Sequence, residues 1–286
     1  MLTRKDLARQ ALGAALEIRK TKENLLNPIC IYDLAEELKI EVRFADIPSL
    51  EGMYSNSPRP AIIIGSERPA GRRVYTCGHE LGHHVFGHGT RVDELRTEGS
   101  GASSFEPEEF LVQTFSGFLL MPKLAVCNAF KVRGWKPELA TPEQIYRISN
   151  LFGVTYTALI KHMGVLELLP RQQSEKLMRV QLKDIRSTFI PDPKRQLVMV
   201  DIFWRGRAID LEVGDLILTP VEAIGEGGCL AKVGQTDHGG LYEAVQPGRG
   251  RLFESATGWA SYIRVSRQSY VGRSIYRHFE EESNDE

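Results

Sequence analysis

Residues 79–84 read His-Glu-Leu-Gly-His-His, and no other stretch constrains the chain as much. His79-Glu80-Leu81-Gly82-His83 is an H-E-x-x-H pattern. On a helix, two histidines four residues apart lie one turn apart on one face, where their imidazoles can share a metal ion. Glu80 is adjacent, placed to take a proton from a metal-bound water. The chemistry implied is metal-assisted hydrolysis, most often of a peptide bond. The plainer reading is a histidine-rich helix end, since His84 and His88 crowd the same stretch. The flanks favour a docked helix. Tyr75, Leu81, Val85 and Phe86 give it an apolar side, and Gly87 and Gly89 supply a stop signal. The helix is expected from about Arg73 to Phe86.

A hydrolytic zinc takes three protein ligands and keeps a fourth position for water. The metzincin pattern would put a third His where Gly89 stands; the nearest His is one residue off at 88, and Met121 is a weak substitute for a Met-turn. The alternative is a Glu on a second helix. The segment from Glu106 to Pro122 fits: Pro107 suits a first turn, Leu111, Val112, Phe115, Phe118 and Leu119 form a stripe, and Pro122 ends it. Glu106, Glu108 and Glu109 are all candidates. Acids in a first turn also favour the helix dipole, so at least one of them needs no further role.

At this point the chain resembles the ImmA/IrrE-type metallopeptidases. Arg73-Val-Tyr-Thr-Cys-Gly-His-Glu-Leu-Gly-His83 is similar to that family's "RFTLAHELGH" string. Glu109 through Pro122 is similar to its "E-x-E-A-N-x-F-A-x-x-L-L-M-P" helix. The lead-in from Ile31 to Gly65 resembles its helix, strand, Gly and strand. The resemblance covers roughly residues 10–165. It implies His79 and His83 as metal ligands, Glu80 as general base, and Glu109 as the third ligand, with Glu106 and Glu108 as fallbacks. Leu111 and Gln113 depart from the family's Glu and Asn without removing a ligand. The implied cofactor is Zn²⁺, although a site of two nitrogens and one oxygen also takes Mn²⁺ or Fe²⁺.

Hydrolysis needs a donor for the developing oxyanion, and His84, His88, Tyr54 and Tyr75 are candidates. Ala61-Ile-Ile-Ile-Gly65 reads as a strand just before the metal helix. If it lay at a sheet edge, a peptide substrate could add to it; plain core is the simpler reading of Ile62–Ile64. Cys77, two residues before His79, reads as a buried small hydrophobe rather than a redox-sensitive thiol.

The expected fold class is α+β: a zincin-like, mainly helical metallopeptidase domain with a small sheet over 1–169, including a helix-turn-helix-like pair at 141–165. A linker at 170–180 leads to a smaller β-rich sandwich or barrel at 181–279, then an acidic tail at 280–286 without fixed structure. Runs at 197–204, 211–218, 241–245, 260–265 and 274–279 are the expected strands. Helices are expected over 7–19 and 31–38, and strands over 40–44 and 61–64. A polar loop at 89–104, with its Gly-Ser-Gly-Ala-Ser-Ser tract, sits between the two metal-binding helices and could gate a cleft. In the 141–165 pair only Lys161 and His162 could reach phosphate, so packing is favoured over DNA.

The net charge of −1 argues neither for nor against nucleic acid. Arg4, Lys5, Asp6, Arg9, Glu17, Arg19 and Lys20 break any apolar leader, and no apolar run was expected to reach the length of a membrane span. The four cysteines are scattered, which suits reduced thiols and a cytoplasmic location. The expected partner is a protein substrate. The resemblance implies that it is a helix-turn-helix transcriptional repressor, cut to switch on stress-response or mobile-element genes. The competing readings are a non-catalytic metal-containing regulator that binds protein or DNA, and a toxin peptidase held by a partner.

Overall fold

The computed structural model describes residues 2–20, 25–94 and 105–279. The chain divides into two compact units. The first comprises residues 1–129 with 271–275, and the second 130–270 with 276–286.

The first unit runs α1 (Arg4–Lys20), α2 (Ile31–Glu37), β1 (Glu41–Ala45), β2 (Leu50–Ser55), β3 (Ala61–Gly65), α3 (Ala70–Phe86), β4 (Arg91–Glu94) and α4 (Pro107–Leu120). Its sheet has the order Gly272–Arg273, β1, β3, β2, β4. β1 and β3 are parallel, with Val42 opposite Ile62 and Phe44 opposite Ile64. β2 runs antiparallel to β3, with Gly52 opposite Ile64 and Tyr54 opposite Ile62. Side chains alternate across a strand, so Val42, Phe44, Leu50, Tyr54, Ile62 and Ile64 fill one buried face. α3 packs on β2 and β3, and α4 packs on α1 and α3.

The capping logic is visible in the sequence. Gly87 sits in the left-handed region at φ 69°, its N–H bonding the His84 carbonyl, while the His88 N–H reaches the His83 carbonyl; together they end α3. α4 starts at Pro107 after Glu106. At its far end the buried Arg19 guanidinium donates to the Leu119 and Leu120 carbonyls (2.6 and 3.2 Å) and to the Asn27 carbonyl (2.9 Å). These are carbonyls a helix C-terminus leaves without partners. Burial pushes the Arg19 guanidinium down to about 10.

β3 lies between β1 and β2 in the sheet, so of the two readings of 61–65 the plain core holds and there is no edge there for an added strand. Two expectations need correction here. The polar loop at 89–104 contains a strand: β4 pairs with β2, with Asp93 opposite Gly52 and Tyr54 opposite Arg91. The tract at 99–104 proposed as a gate lies outside the described residues. An apolar run of membrane-spanning length does exist over Pro107–Lys131. It is broken by Pro122 into α4 and α5 (Lys123–Lys131) and is mostly buried as core helix, because Phe115, Leu119, Leu120, Val126 and Phe130 are all enclosed.

The second unit contains α6 (Pro142–Phe152), α7 (Tyr156–Val165), α8 (Arg171–Met178) and α9 (Leu182–Arg186). Its strands are β5 (Leu197–Met199), β6 (Ala208–Glu212), β7 (Leu216–Leu218), β8 (Ile224–Glu226), β9 (Leu230–Thr236), β10 (Gly239–Ala244), β11 (Gly248–Glu254) and β12 (Trp259–Ser266). They form two four-stranded sheets, β5-β7-β10-β9 and β6-β12-β11-β8. Thr141 and Gln144 form a reciprocal capping box on α6. The α6–α7 pair is packed rather than displayed. Tyr146 Oη donates to the Leu197 carbonyl at 2.6 Å, Tyr156 Oη donates to the Leu177 carbonyl at 3.2 Å, and His162 is buried. This pair packs with α8 and β5. The stretch at 170–180, expected as a linker, is mostly α8, its face carried by the buried Leu177. Residues 274–276 form a short 3-10 turn rather than the expected strand. The acidic tail at 280–286 lies outside the described residues.

Candidate metal centre

Two glycines set the distance between the metal helix and its neighbour. A Cβ added at Gly78 would lie 2.6 Å from Ser116 Oγ, and one at Gly82 would lie 2.9 Å from Val112 Cβ. Residues 78 and 82 therefore face 116 and 112, which makes α3 and α4 antiparallel neighbours at close range. Tyr75 reinforces the contact: its hydroxyl donates to the Gln113 carbonyl (2.9 Å) and its carbonyl accepts from Ser116 Oγ (3.0 Å). Continuing this register toward the start of α4 brings Glu109 to His79 and His83. The His79 Nε2–Glu109 Oε2 distance is 3.3 Å and His83 Nε2–Glu109 Oε1 is 3.7 Å. The two imidazole Nε2 atoms are 3.2 Å apart.

A fourth donor joins them. Asp93 Oδ2, on β4, lies 3.0 Å from His79 Nε2. One ligand atom from each of His79, His83, Asp93 and Glu109 falls within 4.8 Å of all the others. Glu106 is exposed at the N-cap and Glu108 pairs with Arg91, so the two fallback acids are not brought into this group. Nothing in the sequence marked Asp93: its place depends on the pairing of β4 with β2.

The donors suit a divalent cation. Tetrahedral bonds of about 2.0–2.1 Å need donor–donor edges of roughly 3.3 Å; the separations from His79 Nε2 to His83, Asp93 and Glu109 are 3.2, 3.0 and 3.3 Å, and all four donors lie within 4.8 Å of one another. His83 is fully buried, and its other ring nitrogen, Nδ1, is 3.1 Å from His88 Nδ1. A second partner of this kind fixes the ring orientation of a metal-binding histidine. The surroundings also favour positive charge. Burial would push the His79 imidazole down, but its hydrogen bonds to the Asp93 and Glu109 carboxylates, with the Glu80 and Asp93 charges, raise it to about 10. Glu109 is held below the usual carboxylate range, first by its hydrogen bond with His79. Burial, then the charge on His79, drives His83 down to about 4.

Glu80 follows His79 on α3. It is fully buried beside Gly52, where a Cβ would lie 2.4 Å from its Oε1. The backbone of Tyr54 approaches the carboxylate, but neither oxygen has a partner in full hydrogen-bond geometry among the described residues. Burial raises its carboxyl to about 8. His84 stands one turn further along the same helix face, and Tyr54 Oη is 2.8 Å from its Nδ1. Burial lowers the His84 imidazole. Of the four candidate oxyanion donors, then, Tyr75 is committed to α4 and His88 to His83, while the Tyr54–His84 pair lies on the side of Glu80. Cys77 is fully buried.

Residues 35–163 match the peptidase M78 family model, described as the IrrE N-terminal-like domain. The chain carries an IrrE N-terminal-like domain. This domain spans α3, β4 and α4, and with them every donor of the metal centre; the C-terminal region has no family assignment. No curated protein sequence matches the chain. A solved structure described as a Mycobacterium tuberculosis transcriptional regulator is 18% identical over 59% of this chain and 49% of its own, with a TM-score of 0.35. The chain spans about half the length of that structure.

Proposed function

We propose that this protein is a metal-dependent endopeptidase of narrow specificity, acting in the cytoplasm on a helix-turn-helix transcriptional repressor. The observation that carries the reading is the convergence of His79, His83 and Glu109 donor atoms, together with a buried, unsatisfied Glu80 on the same helix. A peptidase M78 domain over residues 35–163 supports peptide hydrolysis; the repressor as substrate is what the family resemblance implies.

Bound by these residues, Zn²⁺, or Mn²⁺ or Fe²⁺ in its place, would supply a Lewis acid and an acidified water. The protein's own contribution follows from the geometry. His88 orients His83, and the α3–α4 contact holds Glu109 against both histidines. Glu80 accepts the proton of the attacking water and passes it to the leaving amine. The Tyr54–His84 pair donates to the developing oxyanion.

The test is incubation of the metal-loaded protein and its Glu80→Gln variant with purified helix-turn-helix repressors from the same genome. Cleavage of one repressor by the wild type alone is the expected result. Equal cleavage by the variant, or none of any repressor, would count against the reading. A second reading is favoured by one observation: four protein donors make a closed shell, the pattern of structural metal sites. On that reading the chain is a non-catalytic metal-containing regulator, and it would hold metal tightly while cutting nothing.

A further inference from the structure

The fourth donor conflicts with hydrolysis as the site stands. A catalytic ion keeps a position open for water, and Asp93 lies among the other three donors with its Oδ2 at 3.0 Å from His79 Nε2. Its placement is specified by backbone. Asp93 stands opposite Gly52 in the β2–β4 pairing, and Gly52 is the residue packed against Glu80. The pairing slips between Leu50 and Gly52, and such an irregularity re-aims a side chain. β4 also covers the β2 edge along Gly52, Met53 and Tyr54. That edge is where an extended peptide would add as a strand next to Glu80.

β4 is weakly secured. Among the described residues it is the last strand of its sheet. Val92 is 56% exposed, and the Arg91–Glu108 ion pair that ties the strand to α4 lies at the surface, where such pairs contribute little.

We propose that Asp93 is a displaceable fourth ligand: β4 holds the resting site closed, and an extended peptide segment replaces it on the β2 edge. Departure of the strand would open a coordination position and a pairing edge in one step. This inference rests on the metal site proposed above.

The test uses the full chain loaded with Co²⁺, as wild type, Asp93→Ala and Asp93→Ser, titrated with acetohydroxamate and followed by visible absorption. All three should hold one cobalt. Each variant should show an altered cobalt spectrum and bind acetohydroxamate roughly tenfold or more tighter than wild type. Equal affinity and an unchanged spectrum would overturn the proposal while leaving the three-ligand site intact. Loss of cobalt from both variants, with folding intact by circular dichroism, would overturn it too, since Asp93 would then be indispensable. No cobalt in the wild type would sink the metal site itself, a different failure. Hydrogen exchange needs no variant: acetohydroxamate should speed exchange of the amides at 91–94 several-fold in the cobalt-loaded wild type, and unchanged exchange would contradict displacement.

Discussion

The α3–α4 pair and the two sheets of the second unit treat buried polar groups differently. In the first, Glu80, His83 and the neighbouring donors are gathered within one small volume, and the Glu80 carboxylate is left unsatisfied there. In the second, the orphaned buried atoms among the described residues, Trp204 Nε1, Trp259 Nε1 and both His278 ring nitrogens, belong to residues far apart in sequence, and other buried polar groups are paired in ordinary ways. Tyr242 Oη, for instance, receives the Ala223 amide at 2.8 Å, and Ser261 Oγ donates to the Arg207 carbonyl at 2.6 Å. Dissatisfaction concentrated among metal-binding side chains costs stability and marks chemistry, whereas the cases in the second unit have no such cluster of donors around them. The comparison can be broken or sharpened by substitution.

The largest effect is expected at the ligands. His83→Ala or Glu109→Ala should weaken zinc binding by at least about 100-fold, more than loss of an outer partner does, as read by competition with a chromogenic chelator. Next come the glycines that set the helix spacing. Gly82→Val drives a side chain into Val112, and overpacking of this sort costs about 1–3 kcal/mol; thermal melting and metal content should both fall.

Glu80→Gln should move in the opposite direction. In the metal-free chain the folded-state carboxyl is raised to about 8 from an ordinary 4.5, so the folded state binds the extra proton between those values. Stability then falls as pH rises through that window, by on the order of a few kcal/mol in total. The variant should lose that slope and be the more stable protein at pH 8, as urea titrations at pH 5 and pH 8 would show. The smallest effect is expected in the second unit. Tyr146→Phe removes the bond to the Leu197 carbonyl, which is worth about 1 kcal/mol, and should leave metal content untouched.

Legibility in the sequence follows the same division. α3 and α4 were readable because helical spacing, Pro107, Gly87 and Pro122 all agree, and the spacing of His79 and His83 already fixes a shared face. Their partnership through Gly78 and Gly82 was not readable, since a glycine does not announce what will pack on it. Asp93 escaped because its position depends on a long-range strand pairing and a register slip. The run at 260–265 read as a strand from its alternation and lies within β12. β11 did not, because Gly248-Arg-Gly250 has turn composition yet pairs with β12 along its length. α8 and α9 were hidden by charge: their apolar stripe is one residue wide in each, Leu177 and Ile185.

The most direct test of the central claim is the metal content of the purified protein by mass spectrometry, wild type beside Glu109→Ala. About one zinc per wild-type chain, lost in the variant, is the predicted result for a site of this kind. A wild type that takes up no metal when zinc is offered, or a Glu109→Ala protein that keeps its zinc undiminished, would contradict the account.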